Sequence, residues 1–125
     1  MPEFQQLSLD RKPGVLVLTI LGSELRTPEV SHALKDELVQ AVTDENPEQL
    51  ILDFRNVTFI SSVGLLGIVS LRRQPNLGRI LFCNLTPEVK SMLAACRLVH
   101  DGDDPAARFE DGGSLEQALA ELASD

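Results

Sequence analysis

Two adjacent hydroxyls, Ser61 and Ser62, separate the apolar run Val57-Thr58-Phe59-Ile60 from a second one, Val63-Gly64-Leu65-Leu66-Gly67. The pattern reads as a buried strand, a tight turn and the start of a buried helix. Two kinds of chemistry are open to hydroxyls in that place. The first is capping, in which a serine oxygen accepts a bond from a free N–H of the first helical turn. The second is phosphorylation, because the free amides and the dipole at a helix start favour an anion. A phosphate there would add up to two negative charges beside apolar side chains. An interface built on Ile60, Val63, Leu65 and Leu66 would then lose affinity through desolvation and repulsion.

The remaining chemistry-bearing residues are few. Cys83 and Cys96 each lie in an apolar context, form no Cys-x-x-Cys motif and have no spacing that asks for a disulfide. His32 and His100 are far apart and lack metal-ligand spacing, so no zinc site is expected. A small α/β enzyme with Ser62 or Cys83 as nucleophile is the catalytic alternative. The Gly-x-Ser-x-Gly pattern of a nucleophile elbow is absent, however, and the sequence places neither histidine near Ser62. No glycine-rich phosphate loop follows a strand, so nucleotide binding is not expected, and no cofactor is expected.

Charge and composition exclude further classes. The net charge of −8 and the lack of Tyr and Trp disfavour nucleic acid as a partner. Residues 101–125 hold eight acids and one base, so almost all of the net charge sits there. This is a solvated, solubilising segment, or else a face that steers a basic partner. The start, Met-Pro-Glu-Phe-Gln-Gln, lacks a basic region and an apolar core, so no signal peptide is expected. Polar residues interrupt the apolar stretch 50–71, so no membrane span is expected either. The expected location is the cytoplasm.

The elements that must position the serines follow from pattern. Glu3 to Leu9 alternates weakly, Lys12-Pro13-Gly14 is a turn signal, and Val15 to Leu21 is β-branched and apolar, which together predict an antiparallel hairpin. Thr27-Pro28-Glu29 opens a helix whose apolar residues recur at helical spacing up to Val42, and Asn46-Pro47 ends it. Gln49 to Phe54 and Arg79 to Asn84 read as strands buried on both faces, as in a parallel sheet with helices on each side. Between them a helix is predicted from Val63 to about Arg73, stopped by Pro75, Asn76 and Gly78. Its Leu65, Leu66, Ile68, Val69 and Leu71 span more than one face. Either neighbouring helices cover the excess or an apolar patch is left exposed near Ser62.

Thr86-Pro87-Glu88-Val89 repeats the helix start at Thr27–Val30 without the surrounding residues matching, which indicates convergence rather than duplication. Asp101 to Pro105 is a polar loop, and Ala107 to Phe109 a short last strand. Ser114 with Gln117 forms a capping box before a closing amphipathic helix. The predicted class is an α/β layer fold with a mixed, mostly parallel sheet, an antiparallel N-terminal edge strand and about four helices. The length suits one domain over residues 1–125, with right-handed crossovers.

The stretch from Leu52 to Leu65, Leu-Asp-Phe-Arg-Asn-Val-Thr-Phe-Ile-Ser-Ser-Val-Gly-Leu, resembles the central motif of STAS domains, the anti-sigma factor antagonist family. In that family an apolar strand and an Asp lead to an apolar pair followed by Asp-Ser-Ser-Gly-Leu. Leu21-Gly22-Ser23-Glu24-Leu25 is similar to the family's Gly-Glu-Leu-Asp segment with one inserted residue. The order of elements also agrees from about Glu3 to Ala123. Ser61 stands where the family has Asp, Val63 where it has a second Ser, and Arg26 where it usually has Asp. The acceptor position, two before the glycine, is kept as Ser62.

The resemblance implies a non-catalytic partner switch. Ser62 is the implied phosphorylation site, and Ser61 a cap or secondary acceptor. Glu24, Arg26, Ile60, Val63, Gly64, Leu65 and Leu66 are the implied partner-binding residues. The implied partners are an anti-sigma factor that is also a serine kinase of the histidine-kinase-like ATPase type, and a PP2C-type phosphatase that resets the switch. The replaced Asp also keeps open a STAS-type scaffold or adaptor that is not phosphorylated, such as a subunit of a signalling or lipid-transport assembly.

Overall fold

The computed structural model describes residues 4–74, 77–95, 99–100 and 109–123. The sequence features at Glu3, Pro75-Asn76, Cys96 and 101–108 lie outside the described residues. Strand β1 (Leu7–Lys12) pairs antiparallel with β2 (Val15–Ile20), the predicted hairpin. Its two-residue turn holds Gly14 at φ 73°, a backbone that glycine adopts without penalty. Among the described residues the first strand starts at Leu7, where pairing with Ile20 begins, and runs on past the expected end at Leu9 to Lys12.

Next come β3 (Glu24–Leu25), α1 (Pro28–Glu45), β4 (Gln49–Asp53), β5 (Phe59–Ile60), α2 (Ser62–Val69) and β6 (Ile80–Cys83). They are followed by α3 (Pro87–Ala95), β7 (Val99–His100), β8 (Phe109–Asp111) and α4 (Leu115–Ala123). Six strands form one sheet in the order β1-β2-β4-β6-β8-β7, parallel everywhere except the hairpin. This is the mixed, mostly parallel α/β architecture expected. The strands β3 and β5 form a separate parallel pair.

Strand alternation divides the core into two layers. Leu16, Leu18 and Ile20 of β2, Leu50 and Leu52 of β4, and Ile80 and Phe82 of β6 share one cluster with Leu34 and Leu38 of α1, Leu65 and Ile68 of α2, and Leu93 of α3. The intervening Val17, Ile51, Leu81 and Cys83 pack on the opposite face against Ala118 and Leu122 of α4. Three helices thus cover one face and α4 the other, so the middles of the central strands are apolar on both faces. The face under α1–α3 is aromatic in the middle, where Phe82 lies 4.9 Å from Phe54 and 4.8 Å from Phe109 between ring centroids.

The helix starts obey their caps. Thr27 Oγ1 accepts from Val30 N (3.2 Å) with Pro28 in the first turn, and Thr86 Oγ1 accepts likewise from Val89 N (3.2 Å). Asn46 ends α1 in the left-handed region (φ 45°) with its N–H on Val42 O. The Ser114–Gln117 box is closed in both directions, at 2.9 and 3.1 Å.

Other boundaries also differ from expectation. The last strand, expected to end at Phe109, runs over the described residues Phe109–Asp111, because the pairing partners of Ile80, Leu81 and Phe82 are Phe109, Glu110 and Asp111. The helix after the serines starts one residue earlier, at Ser62. After Val69 it tightens into a 3-10 turn over Ser70–Arg73. At that junction the Ser70 hydroxyl donates back to Gly67 O at 2.6 Å, the local competition that short polar side chains bring into helices.

Candidate functional site

The serine turn is built on the small pair β3–β5, outside the main sheet. Glu24 stands beside Phe59 and Leu25 beside Ile60. Thr58 N donates to Ser23 O (2.8 Å), and Ser61 N to Leu25 O (2.9 Å), which closes the pair just before α2. This corrects the reading of Val57–Ile60 as a buried strand. The strand is two residues long, with Ile60 buried and Phe59 40 % exposed.

The two serines have different surroundings. Ser61 is the N-cap of α2. Its oxygen accepts from Gly64 N (3.2 Å), and its hydroxyl lies within donating distance of the carbonyls of Leu25 (3.3 Å) and Arg26 (3.4 Å). Ser62, at the first helical position, is exposed. The capping role therefore falls to the first hydroxyl, and the second faces solvent at the positive end of the helix.

The apolar residues of α2 divide as well. Leu65 and Ile68 are buried, as is Leu71 of the 3-10 turn that follows, Val63 and Val69 are half-buried, and Leu66 is 65 % exposed. Leu66 and Val63 line a groove of about 490 Å³ between α1 and α2, shared with Val39, His32 and Lys35. Two glycines let the backbones approach. A Cβ on Gly67 would meet Ser31 O at 2.7 Å, and one on Gly64 would meet Leu25 O at 2.0 Å.

Of the residues expected to contact a partner, Glu24, Arg26 and Leu66 are exposed and Val63 is half-buried. Ile60, Gly64 and Leu65 are buried, so their part at a surface is to support the turn from beneath. Phe59 escaped the sequence reading. The Arg26 guanidinium lies over its ring, 4.7 Å from the centroid, and reaches Glu24 Oε2 at 3.5 Å. Period-2 alternation from Val57 would have placed Phe59 on the face opposite Ile60.

Behind the turn lies a second polar cluster. Asp53, with a fully buried side chain, accepts from Arg55 N (2.9 Å), Arg55 Nε (2.7 Å) and Asn84 Nδ2 (3.0 Å). Burial pushes this carboxyl up, but the hydrogen bonds from Arg55 and Asn84 outweigh it and hold the pKa below the usual aspartate value. Asn56 Nδ2 donates to Ile20 O (3.1 Å), so the loop from β4 to β5 is tied to both neighbouring strand ends.

Cys83 lies beside this carboxylate. Burial, then the negative charge of Asp53, push its thiol up to about 12. At neutral pH it holds almost no thiolate, which removes Cys83 as a nucleophile. Iodoacetamide at pH 8 is expected to leave Cys83 unmodified in the folded protein and to alkylate it in 6 M guanidinium, read by peptide mass spectrometry. Native labelling as fast as in denaturant would contradict its burial. Because the folded pKa is raised, this thiol contributes stability that is present below pH 9 and lost as pH rises toward 12.

The STAS domain profile matches residues 6–104. No curated protein sequence matches the chain. Solved structures share its fold. The anti-sigma factor antagonist SpoIIAA in its unphosphorylated form is 17% identical, with a TM-score of 0.63, covering 95% of this chain and 99% of that one. The Bacillus protein of that name has also been solved in its phosphorylated form. An anti-sigma factor antagonist from Mycobacterium paratuberculosis is 20% identical (TM-score 0.68, 94% and 92% covered). A sulfate transporter family protein from Wolinella succinogenes is 21% identical (TM-score 0.67, 89% and 86% covered). At such identities the likeness establishes the fold alone. The profile match extends over most of the chain and includes the whole serine turn, its capped α2 and the β3–β5 pair beneath them, and on that ground the chain belongs to the STAS domain family.

Proposed function

We propose that the chain is a regulatory binding module of the anti-sigma factor antagonist kind, switched by phosphorylation of Ser62. The observation that carries this reading is the division of labour at the turn. Ser61 is consumed by the cap, while Ser62 is exposed at the helix start beside Val63 and the outward Leu66. In the unmodified state Glu24, Arg26, Val63 and Leu66 contact the partner, with Ile60, Gly64 and Leu65 holding the turn from below. The partner is an anti-sigma factor serine kinase of the histidine-kinase-like ATPase type. It transfers the γ-phosphoryl group of ATP to the Ser62 oxygen, releasing ADP and the hydroxyl proton. The added charge expels the apolar contacts from the interface, and a PP2C-type phosphatase restores the serine by hydrolysis. The module catalyses nothing itself and acts in the cytoplasm. Among the described residues no helix is long and apolar enough to cross a membrane, which is compatible with that location.

Incubation with such a kinase and ATP is expected to add one phosphate, mapped to Ser62 by mass spectrometry and absent in Ser62→Ala. Ser62→Glu is expected to weaken partner binding at least about tenfold, or about 1.4 kcal/mol. An unmodified Ser62 after exhaustive incubation sinks the switch. The second reading is an unphosphorylated adaptor, favoured by Ser61 at the place of the family's acid and by the fold shared with a transporter-family protein. It predicts that Ser62→Ala and Ser62→Glu recover the same partner in equal amounts.

A further inference from the structure

We propose that Arg26 is the cation that holds a phosphate carried by Ser62, exchanging Glu24 for the phosphate when it does so. This inference rests on Ser62 as the modified residue. The pairing of Glu24 with Phe59 and Leu25 with Ile60, continued by one residue, sets Arg26 beside Ser61. The Ser61 hydroxyl reaches the Arg26 carbonyl at 3.4 Å, which fixes the Arg26 backbone against the turn that bears Ser62. The guanidinium now lies 4.7 Å from the centroid of Phe59, three residues before Ser62 on the paired strand, and would swing from there to reach the phosphate.

Its present partner is weak. The contact with Glu24 is long at 3.5 Å, and both side chains are 52% exposed, so water and salt compete for it. A phosphate offers up to two charges and three oxygens where the carboxylate offers one charge and two. The guanidinium fork suits two of those oxygens at once.

Other charges surround the turn. Glu24 shares β3 with the site, and Glu29, His32 and Lys35 lie on the first turns of α1. On α3, Glu88 is exposed and Lys90 is paired with Asp111 at 2.9 Å. The helix start itself also favours the anion. All of these are unchanged by replacing Arg26, so the difference between Arg26 and Arg26→Gln isolates the guanidinium.

The test uses the full chain with phosphoserine inserted at position 62 during translation, which needs no kinase. Titration by 31P NMR is expected to give a second phosphate pKa about one unit below the free value of about 6, and to return most of that unit in Arg26→Gln. Arg26→Asp is expected to raise it further, whereas Lys35→Gln is expected to leave it near wild type. Equal values in the Arg26 and Arg26→Gln proteins overturn the proposal. A kinase that never modifies Ser62 sinks the switch but leaves this titration unaffected, so the two failures are distinct. Should the phosphoserine variants not fold, thermal melts of Ser62→Glu in the Arg26 and Arg26→Gln backgrounds carry the same contrast. The glutamate is then expected to be better tolerated when Arg26 is present, and equal tolerance in both backgrounds overturns the proposal.

Discussion

Gly64→Ala is expected to destabilise the protein by about 3 kcal/mol or more, even though alanine is the better helix former. At an exposed helical glycine the same change would gain up to about 1 kcal/mol. Here the new methyl would stand 2.0 Å from Leu25 O, 2.7 Å from its carbonyl carbon and 2.9 Å from its Cβ. The obstruction is largely backbone, so no rotamer change relieves it. Leu25 O is also the acceptor of the Ser61 N–H at 2.9 Å, and pushing it away opens the β3–β5 pair at the turn that presents Ser62. Urea denaturation should show a lower midpoint with an unchanged slope. Gly67→Ala, whose methyl would meet Ser31 O at 2.7 Å and Lys35 N at 3.2 Å, should fall between that variant and wild type. A Gly64→Ala protein as stable as wild type would mean that α2 can draw back from β3 freely, and the close-approach account would be wrong.

This glycine also marks how far the sequence could be read. That Gly64 follows two serines is visible as a motif. That its hydrogen faces the carbonyl of a residue 39 positions earlier, Leu25, is a tertiary fact that no local pattern encodes. The main sheet was legible because β2, β4 and β6 carry unbroken apolar runs, the signature of strands covered on both faces. The small pair β3–β5 was not. Two residues are too few for any period to show, and β5 exists only because Ser23 and Leu25 offer carbonyls to Thr58 and Ser61. For the same reason Phe59 and its contact with Arg26 were missed: the residues are 33 positions apart and meet only through that pairing. Within α2 the apolar excess was visible, but which residue stays outside depends on where α1 crosses. Gly64 and Gly67 settle it, bringing α2 down on its Leu65–Ile68 side and leaving Leu66 in solvent.

Asp53→Asn is the second large effect expected, a loss of about 2–4 kcal/mol at pH 7. The carboxylate is acceptor-only and receives four contacts: Arg55 N at 2.9 Å, Arg55 Nε at 2.7 Å, Arg55 Nη2 at 2.5 Å and Asn84 Nδ2 at 3.0 Å. An amide in its place turns a donor toward these donors, and the buried site offers it no ready alternative. The damage reaches the functional turn, since this cluster fixes the loop that runs from β4 through Asn56 into β5. The pH dependence separates a lost charge from a mere change of shape. Asp53 has a folded pKa below its usual value, so its contribution is present above about pH 4 and is lost as pH falls through the folded pKa. The stability gap between wild type and Asp53→Asn, measured by urea titration, is therefore expected to be widest near neutrality and to narrow below pH 4. A gap that stays constant from pH 7 to pH 3 would show that the ionised carboxylate is not what holds the loop.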